Sequence, residues 1–171
     1  MFTIRAETFG DHKTIYEVTR EAFKQENESK LINALRQSES FIPELSLVAE
    51  KDQEILGHIL FSTISIESSV GSTPSLILSP MSVKTIYQLQ GIGSALVREG
   101  LKRSRQLGYE HVVVFGHPNF YPKFGFIPAN TKGIHPPFKV PDKVFMVKEL
   151  CVGSLKYVNG IVKYPPEFKL V

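Results

Sequence analysis

Residues 88–96 read QLQGIGSAL, between an apolar run, LILSPMSV at 76–83, and a helix-like run, SALVREGLKRSRQLG at 94–108. Two glycines at a strand-to-helix corner leave the backbone open where a helix start exposes unpaired N–H groups and a partial positive charge. A diphosphate suits such a corner. Gly91 and Gly93 remove side chains that would block phosphate, Gln88 and Gln90 add neutral donors, and Ser94 adds a first-turn hydroxyl. A dinucleotide fingerprint needs a third glycine where Leu96 stands, and a Walker loop needs a closing Gly-Lys-Ser/Thr that is missing. Glycines that only make a tight turn are the remaining alternative.

The chain of 171 residues fits one domain, 1–171, and is long enough for a substantial core. Its 20 basic and 17 acidic residues leave a formal charge of +3, too small an excess to argue for a nucleic-acid partner and no obstacle to an anionic one. The single cysteine, Cys151, excludes an intrachain disulfide and is compatible with a reducing compartment. The start, MFTIRAETFGDH, has no apolar signal core, and no apolar run is long enough to cross a bilayer. A cytoplasmic protein with no membrane partner is expected.

Around the corner the periodicities alternate. FTIRA at 2–6 reads as a first strand, and Asp11 offers an N-cap to a helix whose face carries Ile15, Val18, Ala22 and Phe23. A second helix is expected from Asn27 to about Gln37, burying Leu31, Ile32 and Leu35, with a loop from Ser38 to Glu44 around Pro43. LSLVAE and ILGHILFSTISI, separated by KDQE, have hairpin spacing; ESSVGSTPS at 67–75 reads as a polar turn before LILSPMSV. These three strands predict an antiparallel meander, with Pro80 tolerable where no backbone donor is needed. The next helix carries Leu96, Val97 and Leu101 and stops near Gly108. HVVVF is a buried-type strand, Asn119 to Lys123 a short helical turn, Ala129 to Asp142 a long loop, and VFMVKEL and NGIVKYPPEF later extended segments. The order predicts an α/β mixture rather than a regular βαβ series. An exposed C-terminal strand edge would suit pairing between chains, so monomer and homodimer both stay open.

Three segments, in order and at matching spacing, resemble the GNAT N-acetyltransferase superfamily. Gln88-x-x-Gly91-x-Gly93 is similar to its Q/R-x-x-G-x-G/A coenzyme A loop, LSPMSV to the strand preceding that loop, and VVVFGHPNFYPKFGF to the next strand and its turn ending in Y-x-x-x-G-F. GHPNFYPKFGF, with the strand-rich C-terminal part, further resembles the YhbS-like acetyltransferases. The likeness spans nearly the whole chain. Thr85 stands where the family often has proline, and Gln88 where many members have arginine. The fold implied is α/β: a mixed, largely antiparallel central sheet, a splayed parallel pair formed by the fourth and fifth strands, flanking helices, and a loop and strand extension over 129–171.

The resemblance also implies the activity. Acetyl-CoA is the co-substrate, no metal is required, and an acetyl group passes directly to an amine acceptor of a small molecule or peptide. Its contacts would come from Met81, Ser82 and Val83 at the strand end, from Gln88, Leu89, Gln90, Gly91, Ile92, Gly93 and Ser94 in the corner, and from Asn119. A backbone N–H near Ser82 or Val83 would polarise the thioester carbonyl. Tyr121, four residues before Gly125, matches the family's tyrosine and is the expected proton donor to the departing thiolate; its ring would equally pack the short turn with a wet hydroxyl. For the base, Glu28 matches an acidic position of YhbS-like relatives, although an acid in a first helical turn also favours the dipole. His58, expected on a strand facing the acceptor, is a second candidate base, and His117 would line the cofactor thiol or, the favoured reading, belong to the turn set by Pro118. Asn119 would bind the coenzyme or cap the short helix. Cys151 has no activating partner nearby in sequence. A non-catalytic acyl-CoA-binding sensor is the competing reading, and the presence of Tyr121 favours the enzyme.

Overall fold

The computed structural model describes residues 1–171 as an α/β chain whose residue contacts divide into two units. The first comprises Met1–Ser62, Ser79–Arg103 and Pro166–Val171; the second comprises Thr63–Leu78 and Ser104–Pro165. No helix is long and apolar enough to cross a membrane.

In the first unit, β1 (Thr3–Ala6) pairs antiparallel with β2 (Phe41–Lys51), and β2 with the opening half of β3 (Glu54–Ser68). Asp52 and Gln53 turn this hairpin with φ of 51° and 67°, the left-handed pair a two-residue connection demands. Two helices, α1 (His12–Phe23) and α2 (Asn27–Arg36), supply Ile15, Leu31, Ile32 and Leu35 to a cluster with Val48, Ile55 and Leu60. This is the stripe expected from the helical spacing. Phe168, from the C-terminal turn Pro166–Leu170, packs against the same cluster. Asp11 does sit at the α1 N-cap, but its carboxylate makes no cap bond there; it accepts from Thr8 N–H at 2.7 Å and pairs with Arg5.

Two expected loops are shorter than the sequence suggests. Phe41 to Glu44 is already strand, and the register slips between Phe41↔Ser62 and Ser46↔Leu60, an irregularity that takes in Pro43. The polar stretch 67–75 is mostly strand as well. β3 runs to Ser68 and β4 (Gly71–Val83) starts three residues later, so only Ser69 and Val70 turn. Polar residues at exposed strand ends read as loop because nothing there needs to be apolar.

The seat of α3 (Ile92–Gln106) is set by two missing side chains. A Cβ on Gly100, in mid-helix, would lie 2.1 Å from Phe61 Cε1, and one on Gly57 would lie 2.7 Å from Ser82 O and 3.3 Å from Leu96 Cδ1. With Leu96 and Val97 fully buried beside them, helix and strand meet at backbone distance.

In the second unit, Leu76 and Ile77 of β4 pair in parallel with Val112 and Val113 of β5 (His111–Phe115). That ladder is short, and Pro80 lies three residues past its last rung, where no donor toward β5 is called for. β6 (Ile127–Pro128) and β8 (Phe145–Glu149) continue antiparallel from β5 in the order β5-β8-β6. The stretch Ala129–Asp142 is less irregular than expected: it holds a 3-10 turn at Ala129–Lys132 and β7 (Ile134–His135). The C-terminal strand β9 (Gly160–Lys163) pairs with Ser65–Glu67 of β3 on one side and with β7 on the other, so the expected free edge is taken within the chain. The short helical turn falls at Tyr121–Phe124, two residues later than its sequence suggests.

Gly100→Val tests the α3 seat. Phe61 is fully buried and cannot swing into water, so overpacking of about 2–3 kcal/mol is expected. A urea titration should show the midpoint falling with an unchanged slope, and an undiminished midpoint would reject the close approach.

Candidate active site

The corner after β4 is built from main chain. Lys84 N–H closes the strand on Leu56 O at 2.7 Å, and a 3-10 turn follows at Thr85–Tyr87. Leu89 and Gly91 then take positive φ, 63° and 85°, to enter α3. A side chain on Gly91 would meet nothing within 4 Å, so glycine is needed there for its backbone angle rather than for space. Ala95 N–H to Gly91 O, at 3.0 Å, is the bond that starts the helical ladder. The N–H groups of Ile92, Gly93 and Ser94 precede it and have no acceptor within the helix. Three donors at the positive end of a 15-residue helix are a fitting cradle for an anion.

The side chains expected to help are arranged differently. Gln88 turns its amide to Val83 O at 3.1 Å, and Gln90 reaches toward Ile86 O at 3.5 Å, so both face carbonyls of their own segment. Ser82 is buried, with its Oγ 3.2 Å from Thr19 Oγ1 of α1, which leaves its main chain as the part able to act. Met81 and Val83 lie on the other strand face, where a Gly93 Cβ would be 3.4 Å from Met81 Cε and 3.7 Å from Val83 Cγ2. Leu89 is fully exposed.

In the second unit the candidate acid is Tyr121. Its ring lies on Gly116, where a Cβ would come within 2.4 Å of Cε2, and meets Phe120 and Phe126 edge-on at 5.0 and 5.7 Å between centroids. Burial alone pushes the phenol up to about 12, with no charged neighbour contributing. The hydroxyl is therefore protonated across the physiological range and makes no hydrogen bond within the protein. His117 O receives the N–H of Phe120 and Tyr121, so His117 and Pro118 shape the turn. Asn119 is exposed and caps nothing; the N-cap of the 3-10 turn is Phe120. Of the aromatic cluster, Tyr121, Phe124 and Phe126 are core, while Phe115 is 47% exposed and tilts against Phe138 at 5.4 Å.

The two candidate bases differ in surroundings. Glu28 sits in the first turn of α2, and both its oxygens accept from Gln25 Nε2, at 2.9 and 3.2 Å. Nearby, Glu17, Arg20, Glu21, Lys24, Gln25 and Glu26 line an open surface depression. His58 is fully buried in a polar hub that sequence reasoning missed. The carboxylate of Glu7 takes Arg36 Nε at 2.7 Å, His12 Nε2 at 2.9 Å and the Ser46 hydroxyl. Since Ser46 donates its one proton to Glu7, its contact with His58 Nε2 at 2.9 Å makes that nitrogen the donor. His58 Nδ1 is buried without a partner, and burial outweighs the opposing pull of Glu7 to lower the imidazole pKa. His58 is neutral structure, not a solvent-facing base. The partners of Glu7 lie 5 to 51 positions away in sequence, so no local motif announces the hub. Cys151 is exposed and free in the turn after β8.

A parallel β4–β5 step, a glycine corner opening α3 and a buried tyrosine turn after β5 are features of the acetyltransferase class. Residues 43–128 match the model of the acetyltransferase (GNAT) domain, and the chain belongs to that family of N-acetyltransferases. Over 143 residues it is 36% identical to the uncharacterized N-acetyltransferase YjhQ of Escherichia coli strain K12, covering 83% of this chain and 79% of that protein. It is 31% identical to the uncharacterized N-acetyltransferase YhbS of the same strain over 96% of this chain and 97% of that one. A crystal structure of the E. coli YhbS in complex with CoA superposes with a TM-score of 0.91 at 29% identity, covering 98% of this chain and 92% of that one. A GNAT family acetyltransferase from Brucella melitensis in complex with acetyl-CoA gives 0.78 at 32% identity, covering 98% of each chain.

A folded-state value of about 12 for Tyr121, against about 10 when unfolded, means that the native state holds the proton longer. The stability this provides is complete below pH about 10 and lost as pH rises toward 12. In a 13Cζ-tyrosine NMR titration Tyr121, assigned by its absence in Tyr121→Phe, should titrate near 12, and a midpoint near 10 would show the ring to be solvated.

Proposed function

We propose that this chain binds acetyl-CoA with the diphosphate on the N–H groups of Ile92, Gly93 and Ser94, and transfers the acetyl group directly to an amine of a small molecule or peptide. The observation carrying the reading is that these three donors stand ahead of the α3 ladder, at an open glycine corner. The CoA and acetyl-CoA complexes of the two similar structures support it. Acetyl-CoA supplies an activated thioester, and the chain's own residues do the rest. Main-chain groups of Met81, Ser82 and Val83 orient that thioester and hydrogen-bond its carbonyl oxygen as negative charge develops. Gln88, Leu89, Gln90 and Gly91 shape the diphosphate's seat, and Asn119, whose amide is uncommitted, serves the coenzyme rather than the helix.

The amine nitrogen forms the new C–N bond while the C–S bond breaks, and one proton leaves the nitrogen. Of the two candidate bases only Glu28 lies outside the buried hub, so Glu28 receives that proton, directly or through water. Tyr121 is assigned the other end of the reaction. With its phenol at about 12 and a thiol at about 8.5, complete transfer to the thiolate is uphill. Tyr121 therefore lowers the barrier by donating a hydrogen bond as sulfur becomes negative.

A panel of amines assayed for CoA thiol release tests the whole reading. Tyr121→Phe should lower turnover by about 10²–10⁴-fold with CoA affinity retained. Full turnover in that variant would remove Tyr121 from the chemistry. Saturable CoA binding without thiol release for any amine would favour a non-catalytic acyl-CoA-binding module instead.

A further inference from the structure

The segment from Lys84 to Gly91 has little to hold it in place. Its internal main-chain bonds are Tyr87 N–H to Lys84 O at 2.8 Å and Gln88 N–H to Thr85 O at 3.3 Å, the Gln88 and Gln90 amides add only Val83 O and Ile86 O, and Ile86 and Leu89 point into solvent. Yet it fixes where α3 begins. Its anchor comes from a distant part of the sequence, the β2–β3 hairpin. The left-handed turn at Asp52 and Gln53 brings Glu54 in as the opening residue of β3, two positions before the Leu56 carbonyl that receives Lys84 N–H. Glu54 Oε2 takes Lys84 Nζ at 2.7 Å, and Oε1 takes the Tyr87 hydroxyl at 3.0 Å. One carboxylate thus grips both ends of the Thr85–Tyr87 turn, while Glu21 Oε1 of α1 accepts Thr85 N–H at 3.3 Å.

We infer that Glu54 is a positioning residue for the coenzyme corner, acting through Lys84 and Tyr87 to hold the α3 donors in a diphosphate-ready arrangement. This rests on the reading of that corner as the diphosphate site. A carboxylate near an anion site is adverse unless its charge is offset, and Lys84 offsets it. The same pairing holds the Glu54 carboxyl below its usual range, chiefly through Lys84 and then through Tyr87, so the clamp is ionised at any assay pH near neutrality. A corner held in advance spares the ligand the ordering cost that a loose one would impose.

The test uses CoA itself in calorimetry, with acetyl-CoA kinetics alongside. Glu54→Ala and the charge-neutral Tyr87→Phe should each weaken CoA binding about fivefold, the order of one net hydrogen bond. The effect should fall on KM for acetyl-CoA rather than on kcat. Glu54→Gln, which keeps an acceptor for Tyr87, should recover part of the loss, and the thermal midpoints of all three should stay near wild type because the pair is at the surface. Wild-type CoA affinity in both Glu54→Ala and Tyr87→Phe, while the parent binds CoA, would overturn the inference and leave the coenzyme reading standing. Tighter binding by Glu54→Ala that vanishes at high salt would overturn it too, by showing Glu54 as a restraint on Lys84. No CoA binding by the parent protein would remove the coenzyme reading first.

Discussion

Everything at the corner depends on how closely α3 lies on β3. Two side chains that do not exist set that distance: a Cβ on Gly100 would collide with Phe61, and one on Gly57 would press on Leu96 of α3 at 3.3 Å as well as on the Ser82 carbonyl of β4. Glycine in mid-helix costs about 0.8–1.0 kcal/mol relative to alanine, so the sequence gives up intrinsic helicity to obtain the approach. What it gains is the placement of the α3 start beside the end of β4. Leu96 and Val97 then bury completely against the sheet, and burial of two such side chains outweighs the propensity lost at one glycine.

The opposite face of β3 is organised by charge rather than by absence. Glu7 gathers Arg36 from α2, His12 from α1, Ser46 from β2 and His58 from β3, the last both directly at 3.4 Å and through Ser46. Its carboxyl is held far below the usual range even though burial pushes the other way, because His58, Arg36 and Ser46 all bond its ionised form. A buried charge so thoroughly paired does more to specify an arrangement than to stabilise it: apolar contacts among Ile15, Leu31 and Leu60 would tolerate sliding, whereas a bidentate Arg36–Glu7 pair has one geometry. The helices that carry Glu28 and Glu21 are thereby fixed in register on the strands.

The fold was legible where physics is local. Helix stripes, the KDQE hairpin, the buried HVVVF strand and the glycine corner each declare themselves within a few residues, and the three family-like segments fixed their order. Errors came where one signal stood for two causes. Polar residues at 67–75 read as loop but are mostly strand ends, exposed near the turn and buried by Ser75, and Pro43 read as a breaker but is taken up by a register slip. Gly91 and Gly93 read as a matched pair making room for phosphate, yet one supplies a backbone angle and the other lies against Met81. Side-chain commitments were the least legible. Glu54 and His58 have partners brought to them by strand pairing from distant sequence, while Gln88 and Gln90 turn to carbonyls five and four residues back because of the turn's geometry, which residue type does not declare.

Those commitments decide what kind of recognition the corner can offer. Gln88 stands where an arginine would bring a charge, and its amide is turned to Val83 O; Lys84 is paired with Glu54. The cationic side chain of the Lys84–Gly91 segment is therefore already neutralised, which leaves the proposed diphosphate to be attracted by N–H dipoles and a helix end worth roughly half a unit charge. Point charges attract from any direction, whereas dipoles must be aimed. A corner that relies on dipoles is only as good as the rigidity of the elements aiming it, and that is why two glycines and one carboxylate, none of them touching the diphosphate's expected place, carry so much of its design. The role proposed for Tyr121 follows the same logic: with its proton held by burial and no neighbouring charge, its phenol is suited to a directed hydrogen bond rather than to a mobile proton.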